Sequence, residues 1–468
     1  MRERLRSHVP SWFIRMAVLA CLVNPARAMG QTTASGPLTL NDAVQLALKN
    51  YPAIKESRAR AQAAEEGIGV ARTAYFPRLD MLWQENRATQ NNVFGLLLPQ
   101  SIVPQVSGPV LGTRSYNGVW GSAAGVQLSW EAVDFGQRKA SMDVARAQAT
   151  FAKAQTDLTN LDVEAAAADA FLTVLASDEA VRAARANVDR LDVFANAVRT
   201  LVQNQLRPGA DESRANAELA IGRNQLSQAV QTADIARASL ADAVGAAGTT
   251  VEPAMGALAI LPALPSGELF DLKLHPAARA ELAAVETVRA RERVLGRAYF
   301  PRVDVQSALA ARASGAQVPG QPLLSDGLWP RVPNWALGAS VTFPAFDLFS
   351  LNARKRVEQQ NEIAERARYD QTIQSVTTQD ARARALMKAA LEIAKNTPVE
   401  RQAATDAESR ARERYRAGLA SITEVAEATR LLAQAEADDA VARLGVWRAL
   451  LATAQVRGNL TFFLDQTK

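Results

Sequence analysis

The chain has 468 residues, of which 48% are hydrophobic but only 6% aromatic, and alanine is the commonest residue. This composition favours long helices that approach one another closely, and it argues against a bulky globular core. The formal net charge is +5, but residues 1–28 contribute +4 of it, so the remainder of the chain is nearly neutral. We therefore expect no nucleic-acid partner.

Residues 1–28 have the pattern of a signal peptide. A basic region, 1–15, precedes a short apolar run, 16–23, and Ala26-Arg27-Ala28 supplies a small-x-small cleavage site. The apolar run is shorter than the roughly 20 residues that span a bilayer as a helix. No later stretch has 18 consecutive apolar residues, so we expect no transmembrane helix.

Cys21 is the only cysteine of the chain. It follows Val18-Leu19-Ala20, which loosely resembles a lipid-attachment motif, although Leu19 fits poorly and an intact cleavage site follows. Processing after Ala28 is the preferred interpretation, and lipidation at Cys21 is the alternative. Cleavage after Ala28 would leave a mature chain without cysteine, which excludes disulfides.

The rest of the chain is a tandem repeat. The segment from Ala74 to Asp80, Ala-Tyr-Phe-Pro-Arg-Leu-Asp, recurs from Ala298 to Asp304 with a single change, Leu79 to Val303. Pro52 and Pro276 precede the two copies at the same distance. The spacing predicts a first repeat at 38–250, a linker rich in proline and glycine at 251–267, a second repeat at 268–460 and a tail at 461–468.

Each repeat is predicted to contain a helix, two strands, a very long helix and a return helix. The predicted bounds in the first repeat are 78–86 and 119–131 for the strands, 135–203 for the long helix and 211–246 for the return helix. The corresponding bounds in the second repeat are 302–311, 335–343, 351–416 and 420–458. The segments between paired strands, 91–118 and 312–334, are rich in glycine, proline, serine and asparagine and predict exposed loops.

The strands alternate apolar and polar residues, as in Leu79, Met81 and Trp83 against Asp80 and Gln84. Period-two strands of this length, with aromatic residues near their ends, are typical of membrane-spanning β-strands. A hairpin of a soluble sandwich is the alternative, and the helices decide against it.

Apolar residues recur every seven positions along 135–203, at Val144, Phe151, Leu158, Ala165 and Leu172, which predicts a coiled-coil seam. About 70 residues of helix make a rod of roughly 105 Å. In the second repeat we expect Pro398 to break the equivalent rod. The shorter helices of each repeat together match one long helix in length, so we expect them to lie end to end beside it.

Four strands cannot close a barrel in a bilayer, where an open edge would leave backbone groups unpaired. The smallest barrels have about eight strands, whose side chains fill the interior, whereas three copies of four strands would leave a lumen. A hollow helical cylinder requires such a lumen, and this favours a trimer over a dimer.

The chain resembles the outer-membrane efflux protein (TolC) family over residues 38–460. The resemblance rests on Leu40-Asn41-Asp42-Ala43, the two Tyr-Phe-Pro entries to strands, Val133-Asp134-Phe135-Gly136, and Tyr415-Arg416-Ala417-Gly418 followed by Ile422-Thr423-Glu424-Val425. It implies a homotrimer with a 12-stranded β-barrel in the outer membrane and an α-barrel projecting into the periplasm of a Gram-negative bacterium. Its implied partners are a periplasmic adaptor protein, an inner-membrane pump and outer-membrane lipid.

The resemblance also implies a periplasmic gate. Glu424 and Glu427 fall at its acidic positions, Tyr415 matches a neighbouring aromatic, and Asp211 takes the corresponding place in the first repeat. Crowded carboxylates at a narrow mouth would favour cations, although solvated helix residues near a turn are the alternative interpretation. The residues expected to contact the adaptor are those of two turns: Gln205, Leu206, Arg207, Pro208, Gly209, Gly418, Leu419, Ala420 and Ser421.

Two departures from the family pattern occur in these turns. Ala420 stands where some relatives carry an arginine that ties the closed mouth together, so this lock is expected to be weaker or built differently. Gln205 stands where the register would place a glycine equivalent to Gly418.

The sequence contains no pattern of an enzyme. His8 lies in the signal region and His275 precedes Pro276 at a helix start, where a structural role is expected. No zinc or copper ligand set, phosphate-binding loop or nucleophile elbow is found, so we expect no catalysis, cofactor or metal site. The expected function is a passive duct for small molecules in a tripartite efflux system. The alternatives are the exit duct of a type I protein secretion system and, in another class, a periplasmic coiled-coil adaptor or structural protein.

Overall fold

The computed structural model describes residues 38–93, 110–112, 114–263, 271–316 and 327–467. The predicted signal peptide at 1–28 and the possible lipidation site Cys21 lie outside the described residues. The helices are α1 (Leu40–Asn50), α2 (Pro52–Thr73), α3 (Gln137–Gln203), α4 (Gly209–Ala243), α5 (Pro276–Arg297), α6 (Leu348–Arg416), α7 (Ile422–Val456) and α8 (Thr461–Asp465). The strands are β1 (Arg78–Thr89), β2 (Gly118–Val133), β3 (Arg302–Ser314) and β4 (Val332–Thr342). This order confirms the predicted duplicated unit of helix, two strands, long helix and return helix.

The four strands form one antiparallel sheet in the order β1-β2-β3-β4. Its register aligns the apolar residues of all four strands into rows. In one row Met81 pairs with Val126, Val126 with Leu309, and Leu309 with Trp335. Met81 and Trp335 are each 80% exposed, so one face of the sheet presents a continuous apolar surface.

The other face of the sheet carries small and polar side chains. The next row contains Asp80, Gln127, Ala308 and Ala336. Among the described residues, β1 and β4 pair on one side only, so both edges of the sheet remain open. A one-residue register slip would have mixed the two faces, so the alternation of apolar and polar residues is consistent with the observed pairing.

The helices form four adjacent columns. α3 packs against α2, α4, α5 and α7, whereas α6 packs mainly against α5 and α7. α2 and α5 both have 22 residues, and α4 and α7 both have 35. Within the part of the chain that is described, no helix is both long enough and apolar enough to cross a membrane.

The short helices stack end to end, and a glycine marks each junction. Gly245, just past α4, has φ +71°, and a Cβ there would lie 3.0 Å from the backbone of Asn50, next to the start of α2. Gly458, just past α7, has φ +72°, and a Cβ there would lie 2.5 Å from Pro276, the first residue of α5. Only glycine combines this backbone conformation with so close an approach.

His275 has the structural role that the sequence indicated. Its Nδ1 accepts a hydrogen bond from the Ala277 N–H at 3.1 Å and caps α5, and its Nε2 lies 3.3 Å from the Gln455 carbonyl. Burial lowers the pKa of His275, against the opposing effects of the Gln455 carbonyl and the Asp162 carboxylate. The neutral imidazole therefore links the start of α5 to the end of α7.

The main core surrounds the middle of the helical columns. Residues of α1, α3, α4 and α7 contribute to it, including Phe171, Leu240 and Trp447, all at most 1% exposed. Trp447 contacts Phe463 of α8 edge to face at 5.9 Å and donates to the Ile260 carbonyl at 3.0 Å. The described part of the predicted linker and tail is thus packed against α7.

One expectation for the second repeat is wrong. α6 runs from Leu348 to Arg416 without interruption, with Pro398 inside it. A proline removes one intrahelical hydrogen bond, whereas the turns on either side keep theirs. Val376, Ala383 and Ala404 of α6 are also buried at 1–3% exposure, so packing holds the helix together on both sides of the proline.

Candidate functional site

The residues that the sequence singled out lie at two helical turns, one between α3 and α4 and one between α6 and α7. Both turns end their long helix in the same way: Leu206 N–H donates to the Leu201 carbonyl, and Leu419 N–H to the Arg414 carbonyl. The left-handed position of this cap is Gly418 in one turn, with φ +79°, and Gln205 in the other, with φ +56°. A side chain in this conformation costs roughly 1–2 kcal/mol, so the first turn carries strain that the second avoids.

The turns expose most of their residues. Leu206 and Leu419, which occupy equivalent positions, are 68% and 70% exposed. Gln205, Pro208, Gly209, Gly418 and Ser421 are also exposed, and Arg207 is half-buried. Ala420 is buried against the apolar side chains beneath the turn, so it does not contribute to the exposed surface.

Tyr415, near the end of α6, is 1% exposed and joins the two turns. Its hydroxyl donates to Asp211 Oδ2 in α4 at 2.9 Å. Its ring meets Phe194 of α3 edge to face at 5.6 Å. The Arg207 guanidinium lies 4.3 Å from the ring centroid and donates to the Tyr415 carbonyl.

The electrostatics of this contact favour the neutral phenol. Burial, followed by the hydrogen bond to Asp211 and the charge of that carboxylate, raises the pKa of Tyr415 to about 12, against the opposing charge of Arg207. Tyr415 is thus a fixed hydrogen-bond donor at neutral pH. We name the group Tyr415, Asp211 and Arg207 the cross-turn contact.

The two predicted gate glutamates have different surroundings. Glu424 is the third residue of α7 and forms a capping box with Ser421, with bonds of 3.3 and 3.4 Å. Glu427 is exposed, and its charge contributes to the raised pKa of Arg430, after the larger effect of Glu218. Asp211 occupies the corresponding third position of α4, where a carboxylate interacts favourably with the helix dipole.

Two ion pairs join the hairpin of α3 and α4 to the hairpin of α6 and α7, within the helices and not in the turns themselves. Arg430 of α7 lies 2.7 Å from Glu218 of α4, and Arg190 of α3 meets Glu436 of α7 through two bonds of 3.0 and 2.6 Å. Sequence reasoning missed these pairs and the roles of Arg207 and Phe194, because the partners lie between 208 and 246 residues apart. The arginine in the first turn was a visible signal, but nothing in the sequence named its partner.

Comparisons with known proteins agree with this geometry. The family model for outer membrane efflux protein matches residues 43–246 and 272–459. Cobalt-zinc-cadmium resistance protein CzcC of Cupriavidus metallidurans is 26% identical over 256 residues, which is 53% of each chain. The chain spans about half the length of the curated relatives it matches.

Solved structures are similar over a larger part of the chain. The outer-membrane channel OprN matches with a TM-score of 0.73 and 21% identity, covering 90% of both chains. CusC matches with a TM-score of 0.76 and 13% identity, covering 90% of this chain and 92% of that one. At these identities the likeness establishes the fold.

Proposed function

The chain belongs to the outer membrane efflux protein family, and on that premise we propose that three copies form a passive duct for efflux across the outer membrane. The observation that carries the proposal is the four-stranded sheet, which has an apolar face, a polar face and two open edges, and continues into the long helices. A single copy cannot satisfy its edge strands in a bilayer. Copies joined edge to edge can pair their edge strands with one another, and a barrel made of three copies encloses a lumen.

The helical columns support the same closure. α6 lies at one side of the array and α2 with α4 at the other. Both sides expose apolar residues: Ile363 of α6 is 59% exposed, Val70 of α2 is 71% exposed and Ile235 of α4 is 60% exposed. We propose that α6 of one copy packs against α2 and α4 of the next, which turns the columns into a cylinder.

The turns would lie at the periplasmic end of this cylinder. We propose that the cross-turn contact holds the mouth closed, with Arg207 replacing the arginine that is absent at Ala420. Glu424 and Glu427 would supply negative charge at the mouth and favour cations. The exposed Leu206 and Leu419 would contact a periplasmic adaptor, which links the duct to an inner-membrane pump.

The cargo that fits these features is small and often cationic. One relative is named for resistance to cobalt, zinc and cadmium. The acidic residues near the turns would suit cations of this kind without binding them tightly. Energy for transport would come from the pump, because the duct itself is proposed to be passive.

Fractionation and conductance test the duct. The expressed protein should be found in the outer membrane as a trimer that dissociates on heating, and it should form pores in planar bilayers. A soluble periplasmic monomer would refute the proposal.

Charge removal tests the mouth. Glu424→Gln combined with Glu427→Gln should lower cation selectivity, because glutamine keeps the capping bond at position 424 and removes only the charge. Glu413→Gln, an exposed neighbour on α6, should leave selectivity as it is. Unchanged selectivity in the double variant would remove both glutamates from the gate.

A further inference from the structure

A groove lies along α6 and α7, far from the turns. It encloses about 790 Å³, within the range of sites that hold drug-sized ligands. Its apolar lining includes Leu386 and Ile393 of α6 and Val441 and Gly445 of α7. Leu386 and Ile393 are 56% and 52% exposed, and a Cβ on Gly445 would meet nothing within 4 Å, so the groove is open along α7.

The groove lies on the side of α7 opposite to the main core. Arg443 and Trp447 of α7 donate to the carbonyls of Ala259 and Ile260, which cover one side of the helix. Val441, Gly445 and the other lining residues lie roughly half a turn around the helix from that side. If the copies assemble as a duct, the bare side is the one that can face the lumen, because the other carries the connecting segments.

Three carboxylates surround the groove, those of Asp169, Glu400 and Asp438, against one guanidinium, that of Arg448. Arg448 Nε lies 3.3 Å from Asp169 Oδ1, and its Nη2 donates to Thr173. That pairing leaves two carboxylates with no cation partner among the described residues. Asp438 accepts hydrogen bonds from Gln434 at 3.0 and 3.1 Å, so its side chain is held in place.

The groove also contains a buried hydroxyl that lacks a partner. Thr377, Thr378 and Thr405 of α6 each donate to the carbonyl four residues earlier, at 2.7–2.9 Å. Thr397 is 4% exposed and lines the groove, yet its hydroxyl has no hydrogen-bond partner among the described residues. A buried polar group without a partner is costly, and a bound molecule with a donor would satisfy it.

We propose that this groove is a binding site for a cationic amphiphilic solute in transit through the duct. The apolar part of the solute lies against Leu386, Ile393 and Val441, and its cationic group is attracted by Glu400 and Asp438. An anionic solute of the same size would be repelled by the unpaired carboxylates. This inference rests on the proposed duct function. It adds to that function a class of substrate and a site at which the substrate binds during transit.

Binding of ethidium, an aromatic cation, to the full chain in nanodiscs of zwitterionic lipid tests the proposal. Fluorescence titration should show saturable binding, and anilinonaphthalene sulfonate, an aromatic anion, should not compete. Glu400→Gln combined with Asp438→Asn should weaken ethidium binding about fivefold to tenfold, as expected for two partly solvated charges.

The matched control is Glu392→Gln combined with Asp406→Asn. Both residues are exposed on α6 outside the groove, and Asp406 accepts from Gln402 as Asp438 does from Gln434. Equal affinity in the two double variants, competition by the anion, or no saturable binding to the parent protein would overturn the groove proposal.

Two further measurements keep this proposal separate from that of the duct. Leu386→Cys in the assembled protein should react with a water-soluble maleimide above the background of the parent. Protection of that cysteine would mean that a neighbouring copy fills the groove, and would overturn the proposal. Pore conductance of the same preparation tests only the duct proposal. Conducting pores that fail to bind ethidium would therefore refute only the groove proposal.

Discussion

Tyr415→Phe is the most direct test of the cross-turn contact. The change deletes the hydroxyl that donates to Asp211 at 2.9 Å and keeps the ring that contacts Phe194 and Arg207. A hydrogen bond to a charged group contributes about 1.5–3 kcal/mol. Because Asp211 is half-buried and water can replace part of the lost bond, we expect the lower end, about 1.5 kcal/mol per chain.

That loss should appear in channel recordings. A change of 1.4 kcal/mol shifts an equilibrium about tenfold, so each released contact should favour the open mouth by about that factor. If the contacts of three copies act independently, their effects multiply, and the variant should conduct for a much larger fraction of the time. Tyr369→Phe on the same helix is the control, since the described residues include no hydrogen bond of its hydroxyl. Equal open fractions in the two variants would refute the closing role of Tyr415.

The raised pKa of Tyr415 supplies a second readout. The phenol ordinarily has a pKa of 10.0, and in the folded protein it is raised to about 12. A raised folded-state pKa stabilises the protonated form, so this contribution is fully present below pH 10 and is lost as pH rises through about 12. Absorbance titration of the parent protein should therefore show one late-ionising tyrosine that is missing in Tyr415→Phe. If the titration of Tyr415→Phe instead lacked a tyrosine that ionises near the ordinary pKa, the buried geometry of Tyr415 would be contradicted.

Three other changes test the fold. Leu337→Arg on the apolar face of the sheet should reduce membrane assembly by about 2–4 kcal/mol, whereas Ser340→Arg on the other face should be tolerated, as measured by heat-modifiable trimer in membrane fractions. Gly458→Ala adds a Cβ 2.5 Å from the proline it packs against, so it should lower the free energy of unfolding by about 1–3 kcal/mol more than Gly248→Ala, which shares the positive φ but has open space. His275→Asn keeps a capping acceptor but removes a group whose pKa is lowered by burial. The parent should therefore lose stability relative to this variant as pH falls below 6.5, in thermal unfolding followed at several pH values.

Local patterns account for most of the fold that the sequence predicted. The strand cores at 78–86 and 302–311 were visible because alternation is a property of neighbouring residues, and the observed strands begin at the same residues. β1 continues to Thr89, three residues past its predicted end, and β3 continues to Ser314, inside the loop predicted at 312–334. Both extend because pairing across the sheet continues beyond the alternation. Pro398 misled the prediction because a local rule for helix breaking ignores the helices that pack on both sides.

The candidate site was predictable only in part. The acidic residues and the turns could be located because capping patterns and glycine positions involve residues that are close in sequence, as for Ser421 and Glu424. The contact between Tyr415, Asp211 and Arg207 could not be derived from spacing, because 204 residues separate Tyr415 from Asp211. The sequence around one turn contains no pattern that identifies a partner side chain at the other turn.

The sequence by itself determined the duplication, the types of the elements and the face that each strand presents, since all three follow from short-range periodicity and repeated spacing. Only the tertiary structure decided which residues meet: the apolar row from Met81 to Trp335, the glycine contacts at Gly245 and Gly458 where the short helices stack end to end as expected, and the pairing of the two turns through Tyr415. The physical reason is that such contacts depend on how whole helices and strands pack side by side. That packing is a sum over many distant residues, and no single stretch of the chain carries it.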